Sequence, residues 1–132
     1  MIEIKIIIER SADFYNAFAE NVEGINGGGE TVAQAKQSVI EAIELLKKYN
    51  TPENIPAEIK GEYKLVYKFD TVSLLSYYKG IFTNAALERI TGINQKQIEA
   101  YAAGRRKPRP AQIKKIEQGL HTLAYELLAV EL

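Results

Sequence analysis

The stretch GINQKQIEAYAAGRRKPRP, residues 92–110, is the part of the chain on which the fold prediction for the second half depends. Gly92 precedes a short amphipathic segment rich in amide side chains, and Gly104 ends that segment. Four of the next five residues are basic, namely Arg105, Arg106, Lys107 and Arg109. This order predicts a short helix between two turns, followed by a cationic loop. Two interpretations are open: a helix that recognises DNA beside a phosphate-binding loop, or a solvated helix beside an ordinary basic loop.

Helix-start and helix-stop residues divide the chain after residue 70 into four helices. The predicted starts are Asp70 or Thr71, Thr83, Asn94 and Pro110. Gln97 stands at the third helical position after Asn94, which is the spacing of a capping box. Gly80 and Gly92 are predicted to end the first two helices, and the side chains expected to face inward are Leu87, Ile90, Ile98 and Tyr101. Two short helices joined by a tight glycine turn are typical of a helix-turn-helix unit.

Residues 83–110 resemble the helix-turn-helix of the Xre/Cro-type repressors. The matching features are Asn84, Leu87, Gly92, Ile93, a capped third helix with Gln95, and the Gly104–Pro108 ending. Glu88 occupies a position where that family usually has alanine, and its longer side chain is expected to point away from the third helix. The resemblance implies a DNA-binding domain in an all-α second half.

If the third helix is the recognition helix, its first turn enters the major groove of DNA. The residues predicted to meet base edges are Asn94, Gln95, Lys96 and Gln97, with Ala100 one turn further on. Phosphate contacts are predicted for Thr83, Asn84, Arg105, Arg106, Lys107 and Arg109. Each feature alone fits an ordinary solvated surface, but together they favour DNA binding.

The last helix carries an apolar pattern that is longer than a small helical domain needs. Its members recur at spacings of three and four residues: Ile113, Ile116, Leu120, Leu123, Leu127 and Val130. We expect a dimer seam built on Ile116, Leu120, Leu123 and Leu127, since paired DNA half-sites also require a two-fold axis. The alternative is one long helix packed on its own domain, with Gly119 as a candidate break within it.

The first 70 residues are predicted to form a small, largely antiparallel sheet with one helix, in the order β-β-(short β)-α-β. β-Branched residues predict a strand over Ile2–Glu9, and residues 14–20 alternate as its hairpin partner after a turn at Ser11–Asp13. Thr31 is the predicted N-cap of an amphipathic helix that continues to about Tyr49, with Gln34 in capping-box spacing. Residues 50–62 are polar and turn-rich, and residues 63–69 predict a further strand.

The glycine-rich residues 24–31 fit the phosphate-loop pattern G-x-x-x-x-G-K-[ST] at every fixed position except the lysine. Glu30 places a carboxylate where a cation must meet the phosphates. Nucleotide binding is therefore rejected, and the glycines are interpreted as a turn and an edge strand that need positive φ.

Residues 19–49 are similar to the small β-β-β-α-β domain of HicB-type antitoxins. The similarity lies in the Gly24–Gly29 spacing, the Thr31 cap and the alanine-rich helix with Ala33, Ala35 and Ala42. The chain has ENVEG where that family usually has a proline-containing motif. The resemblance implies a partial ribonuclease H-like fold without catalytic acids, a toxin-binding role, and a known arrangement in which an Xre-type domain follows.

Composition narrows the environment and separates two halves by charge. The chain has no cysteine, which excludes disulfides and a cysteine nucleophile and fits a reducing compartment. No signal peptide and no bilayer-spanning segment of roughly 18 apolar residues is recognised, so a cytoplasmic location is expected. Residues 1–60 contain 6 Lys/Arg against 10 Asp/Glu, whereas residues 92–116 contain 7 against 1. These charges predict an acidic first half and a basic second half that faces nucleic acid.

No catalytic residue, metal site or cofactor is predicted. The acids Glu3, Glu9, Glu20 and Glu23 have no diagnostic metal-ligand spacing and are interpreted as solvated strand residues. The single histidine, His121, lies in a leucine-rich helical pattern with no second histidine and no nucleophile motif.

These observations predict an α+β protein with a toxin-binding domain at 1–70 and a DNA-binding domain at 71–132. The leading functional interpretation is a HicB-type antitoxin that neutralises a HicA-like mRNA-cleaving toxin, through acids such as Glu20, Glu23 and Glu30, and represses its own operon as a homodimer or higher homo-oligomer. The alternative is a stand-alone helix-turn-helix regulator whose first domain oligomerises or senses a ligand. An enzyme of degenerate ribonuclease H ancestry is the third and weakest interpretation.

Overall fold

The computed structural model describes all residues from 1 to 132. It contains a four-stranded mixed sheet in which strand β1 (Ile2–Ser11) has a partner on each side. β2 (Phe14–Ala19) and β3 (Asn26–Gly29) continue from it antiparallel, and β4 (Tyr63–Phe69) pairs with it in parallel. The strand order is therefore β3-β2-β1-β4. The chain divides into two units, Met1–Asp70 and Thr71–Leu132, and it has an α+β fold with five α-helices.

The core of the first unit lies between one face of the sheet and helix α1 (Val32–Tyr49). Ile4, Ile6 and Ile8 are fully buried because alternate side chains of a strand point to the same face. Helix α1 covers them with residues spaced three or four apart, namely Val32, Ala35, Val39 and Ile43. Burial of each such isoleucine contributes on the order of 1.5–3 kcal/mol.

The predicted cap of α1 is confirmed. The Thr31 hydroxyl accepts a hydrogen bond from the Gln34 backbone N–H at 3.1 Å. The Gln34 side chain returns a bond, but it accepts from the backbone N–H of Glu30 at 2.9 Å rather than from that of Thr31. Two backbone donors at the start of the helix are thereby satisfied.

The glycines of β3 serve close packing, which corrects the prediction that they need positive φ. Only Gly24 of this run has positive φ, at 85°. A Cβ at Gly27 would lie 2.7 Å from Ser38 Oγ, and one at Gly29 would lie 2.5 Å from Gln34 Cβ. Glycine therefore lets this edge strand approach α1, and the Gly28 backbone N–H donates to Ser38 Oγ at 3.2 Å.

The segment from 50 to 62 takes part in the core, which its polar composition does not indicate. It forms two single 3₁₀ turns, Pro52–Asn54 and Ala57–Ile59. Ile59 is fully buried, and Ile55 packs against the same cluster. The segment thus closes one side of the first unit's core before β4 begins.

The second unit is a cluster of four helices with the starts and stops that the capping residues predict. They are α2 (Thr71–Tyr78), α3 (Asn84–Thr91), α4 (Gln95–Ala102) and α5 (Pro110–Leu128). Its core is formed by Leu75, Leu87, Ile93, Ile98, Tyr101 and Ile116. Ile90 is only partly buried at the edge of this core. None of the protein's helices combines the length and apolarity that a membrane span requires.

Helix α5 continues unbroken through Gly119. A Cβ at Gly119 would meet the Ile90 carbonyl oxygen and would lie 3.0 Å from Ile90 C and 3.1 Å from Thr91 Cα. The glycine therefore permits close contact between α5 and the last turn of α3. Since backbone atoms cannot move aside as a flexible side chain can, this contact sets the distance between the two helices.

Gly119→Ala should destabilise the second unit, although alanine is the better helix former. The added methyl group overpacks a backbone contact, and we expect a loss of roughly 1–3 kcal/mol in the free energy of unfolding. Gly80→Ala is the matched control, because nothing lies within 4 Å of a Cβ there. Urea denaturation followed by circular dichroism measures both. A Gly119→Ala variant as stable as the wild type would show that α5 does not depend on this contact.

Candidate nucleic-acid interface

The turn between α3 and α4 is held by glycine geometry and one hydroxyl. Gly92 has left-handed backbone angles (φ 75°, ψ 8°) and closes α3 through its N–H, which donates to the Glu88 carbonyl. The Thr91 hydroxyl donates to the Leu87 carbonyl at 2.7 Å and accepts from the Ile93 N–H at 3.1 Å. Because Thr91 and Ile93 are both buried, these bonds fix the direction in which the chain leaves α3.

Glu88 joins the two helices, which overturns the expectation that its side chain points away from α4. Its Oε2 accepts a hydrogen bond from the Gln95 backbone N–H at 3.2 Å. Asn94 caps the same helix end, since its Oδ1 accepts from the Lys96 N–H at 2.8 Å. A carboxylate at a helix N-terminus is favourable because the free N–H groups carry partial positive charge. The residue that differs from the expected alanine thus supplies a second cap for α4.

The amide and lysine side chains of α4 divide into free and engaged groups. Gln95 and Lys96 are exposed, and their side chains make no hydrogen bond or ion pair. Gln97 is half-buried and donates through Nε2 to the Tyr101 hydroxyl at 2.8 Å, so it does not complete the predicted capping box. Ala100 is only 9% exposed. Gln95 and Lys96 are therefore the side chains of α4 with unoccupied donors at the surface.

One of the four predicted basic contacts is already paired. Two guanidinium nitrogens of Arg105 donate to the two carboxylate oxygens of Glu99, one of them at 3.0 Å. This hydrogen bond lowers the pKa of the Glu99 carboxyl, so the pair is ionised at neutral pH. Arg106, Lys107 and Arg109 are exposed and form no ion pair, whereas Pro108 between them is buried and anchors the loop.

A cleft of about 550 Å³ brings five of the predicted residues together. They are Asn94, Lys96, Gln97, Ala100 and Arg106, and the lining is completed by Gly92, Ile93, Gln112 and Lys115. Gln112 and Lys115 come from the first turns of α5 and were not predicted as site residues. Their signal in the sequence is weak, because Lys115 follows another lysine and only packing shows which of the two faces α4. The remaining predicted residues, Thr83, Asn84, Gln95, Arg105, Lys107 and Arg109, lie outside this lining.

Thr83 and Asn84 stand at the start of α3 as predicted. The Thr83 hydroxyl accepts from the Ala86 N–H at 3.0 Å, so its oxygen is engaged as a cap. Asn84 is half-buried and forms no side-chain hydrogen bond. Asn84 retains its NH₂ donors, and the Thr83 hydroxyl retains its O–H donor, so both side chains can donate to a neighbouring anion.

The predicted seam on α5 changes from buried to exposed along the helix. Ile116 is 2% exposed and belongs to the core of its own unit, and Leu120 packs against that core. These two residues are therefore not on an exposed seam, because α5 uses them to hold α3. Leu123 is half-buried and Leu127 is 60% exposed. Ile113 in the first turn is 44% exposed, and the other uncovered apolar side chains lie at the end of the helix, where Tyr125, Leu128 and Val130 accompany Leu127.

The predicted toxin-binding acids lie on the surface of the first unit. Glu20 is 3.9 Å from Lys5 Nζ, whereas Glu23 and Glu30 are exposed and form no ion pair. The first unit contains 8 Lys/Arg and 12 Asp/Glu, a net charge of −4, and the second contains 9 and 5, a net charge of +4. No group of three His, Asp or Glu side chains is placed to hold a metal ion.

Comparisons with known proteins found no relative of this chain. No protein-family model matches the chain, and no curated protein sequence or solved structure matches it either.

Proposed function

We propose that residues 71–132 form a helix-turn-helix domain of the Xre/Cro type that binds double-stranded operator DNA. The observation that carries the proposal is the surface of α4, where Gln95 and Lys96 have free donors beside a cationic loop. Lys96 also borders a cleft to which Arg106 and Lys115 contribute. Amide and lysine donors suit base edges in the major groove, and the flanking cations suit phosphates. The paired Arg105 contributes less than its neighbours, since Glu99 already neutralises it.

Gln95→Ala should reduce affinity for the operator by roughly 1–3 kcal/mol and leave affinity for scrambled DNA almost unchanged, because it removes base contacts. Lys107→Ala should weaken binding to both duplexes alike and lower the salt slope by about one unit. Gel-shift titrations on DNA from upstream of the gene and on a scrambled duplex, at two salt concentrations, compare the two variants. Equal losses for both variants on both duplexes would contradict the assignment of α4 as the recognition helix.

The same proposal includes a two-fold assembly through the end of α5, which supports binding to paired half-sites. The contact between the two copies would be made by Leu123 and Leu127 with the exposed Tyr125, Leu128 and Val130. Ile116 and Leu120 take no part in it, because they pack within their own unit. An apolar helix surface of this kind is costly to leave in water and is typical of an interface between copies.

Leu127→Asp should weaken self-association by on the order of 2 kcal/mol or more, because it places a charge in an apolar contact. Sedimentation equilibrium should then detect monomers at concentrations where the wild type is dimeric. Ile81→Asp is the control, since Ile81 is 69% exposed and lies outside α5. An unchanged mass for Leu127→Asp, accompanied by lower stability, would assign the end of α5 to packing within its own chain.

For the first unit we propose a HicB-type antitoxin function, in which this unit covers a small basic mRNA-cleaving toxin. Its support is the β-β-β-α-β order, the glycine-packed edge strand beside α1 and the net charge of −4. Acids such as Glu23 and Glu30 are free to attract a cationic partner and to accelerate the encounter. The protein would then combine toxin neutralisation with repression of its own operon.

We expect a small basic protein to be encoded beside this gene. A chain of residues 1–70 should rescue growth when it is co-expressed with that protein, and a chain of residues 71–132 should not. Affinity in a pull-down with the chain of residues 1–70 should fall as salt rises, because opposite net charges drive the encounter. Rescue by residues 71–132 alone, or the absence of a basic neighbouring gene product, would contradict the antitoxin function. The stand-alone regulator would then take its place.

A further inference from the structure

All the charged side chains that line the cleft between α4 and the start of α5 are positive. Three cations line it, Lys96, Arg106 and Lys115, and no acidic side chain does. None of these cations forms an ion pair elsewhere in the protein. The remaining polar lining consists of the amides of Asn94, Gln97 and Gln112. A volume of about 550 Å³ lies within the usual range of ligand sites, and its lining offers donors for an anion.

The contribution of α5 distinguishes this cleft from an ordinary basic loop. Gln112 and Lys115 are three residues apart on the helix and so lie on the same side of it. The buried Pro108 and the helix-starting Pro110 fix where α5 begins, which places both side chains opposite Arg106 of the preceding loop. Positive groups from three separate segments thus converge on one concave surface, which raises the local potential.

Gln112 carries an unsatisfied atom at this cleft. Its Oε1 is buried and has no hydrogen-bond partner. A buried polar group without a partner is unfavourable, and it is uncommon in folded proteins. The Gln112 amide makes no hydrogen bond within the protein, so its NH₂ donors are not engaged and can serve an anion bound in the cleft that it lines.

We propose that this cleft is a phosphate-binding site in which Arg106 and Lys115 clamp the phosphate and the Gln112 amide donates to one of its oxygens. The guanidinium fork of Arg106 matches two phosphate oxygens, and Lys115 adds a point charge. A carboxylate would engage only some of these donors, whereas a phosphate offers oxygens to all three groups. When the phosphate belongs to a DNA backbone, the inference rests on the proposed function. A free nucleotide would supply the same chemistry.

The DNA source is tested with two adjacent lysines of α5. Lys114 and Lys115 are both exposed, but only Lys115 lines the cleft. Lys115→Ala should weaken duplex binding roughly tenfold near 0.1 M salt and reduce the salt slope by about one unit, and Lys114→Ala should do neither. Fluorescence anisotropy on a labelled duplex measures both effects. The salt concentration is varied from about 50 to about 200 mM, the range over which phosphate contacts are lost.

Gln112→Leu provides a test that a stability effect cannot imitate. The substitution deletes the unsatisfied oxygen at nearly the same volume, so the urea midpoint should stay level or rise while duplex affinity falls. Gln118→Leu on the same helix is the control, because Gln118 is exposed and lies outside the cleft. Equal affinity for both leucine variants would remove Gln112 from the site.

The free-phosphate source is tested with inorganic pyrophosphate added to the full chain carrying ¹⁵N. Amide shifts of Gly92, Ile93 and Arg106 should move if the cleft accepts it, and Arg106→Ala should abolish the movement. If the wild type binds no duplex but pyrophosphate moves these signals, the phosphate site stands and the proposed DNA-binding function fails. If the lysine variants differ on DNA without a pyrophosphate response, the ligand is a backbone phosphate. Equal lysine variants and unmoved signals together overturn the site.

Discussion

The position of α4 depends on the hydrogen-bonded turn that follows α3. The Thr91 hydroxyl links the last turn of α3 to the Ile93 N–H, and Gly92 supplies the left-handed step between them. Glu88 then holds the first N–H of α4, and Gly119 lets α5 lie against the same end of α3. Because the Thr91 hydrogen bonds are buried and Gly119 lies against backbone atoms of α3, these two contacts leave the helices few alternative arrangements. The surface of α4 and the cleft beside it follow from this arrangement.

Pairing within the protein decides which cations of the second unit are available to a ligand. Arg105 is joined to Glu99, so the basic loop offers Arg106, Lys107 and Arg109 rather than four equal charges. Lys115 adds a cation from α5 at the cleft. Three unpaired cations, Lys96, Arg106 and Lys115, therefore line the cleft between α4 and α5, where a phosphate would meet positive groups from more than one side.

The first unit shows how a strand of low propensity is retained when packing requires it. Glycine is unfavourable in a strand interior, yet β3 contains Gly27, Gly28 and Gly29, because α1 lies too close for a side chain at two of these positions. The Ser38 hydroxyl compensates by accepting from the Gly28 N–H. The glycine run that resembles a phosphate loop in sequence is thus explained by helix-strand contact, with no nucleotide required.

The sequence by itself determined the elements whose signals lie within a few residues of one another. The caps at Thr31, Thr83 and Asn94, the start at Pro110 and the strand from 63 to 69 were all predicted, because capping bonds and alternation act locally. Only the tertiary structure decided the contacts between residues of different helices and loops. It directed Glu88 to the start of α4, paired Arg105 with Glu99, buried Ile116 in its own unit and placed Lys115 rather than Lys114 at the cleft. A charged side chain shows the same local sequence pattern whether it is paired or free, and an apolar side chain shows the same pattern whether it is buried or exposed. Helix packing selects the partner, and no short stretch of sequence encodes that packing.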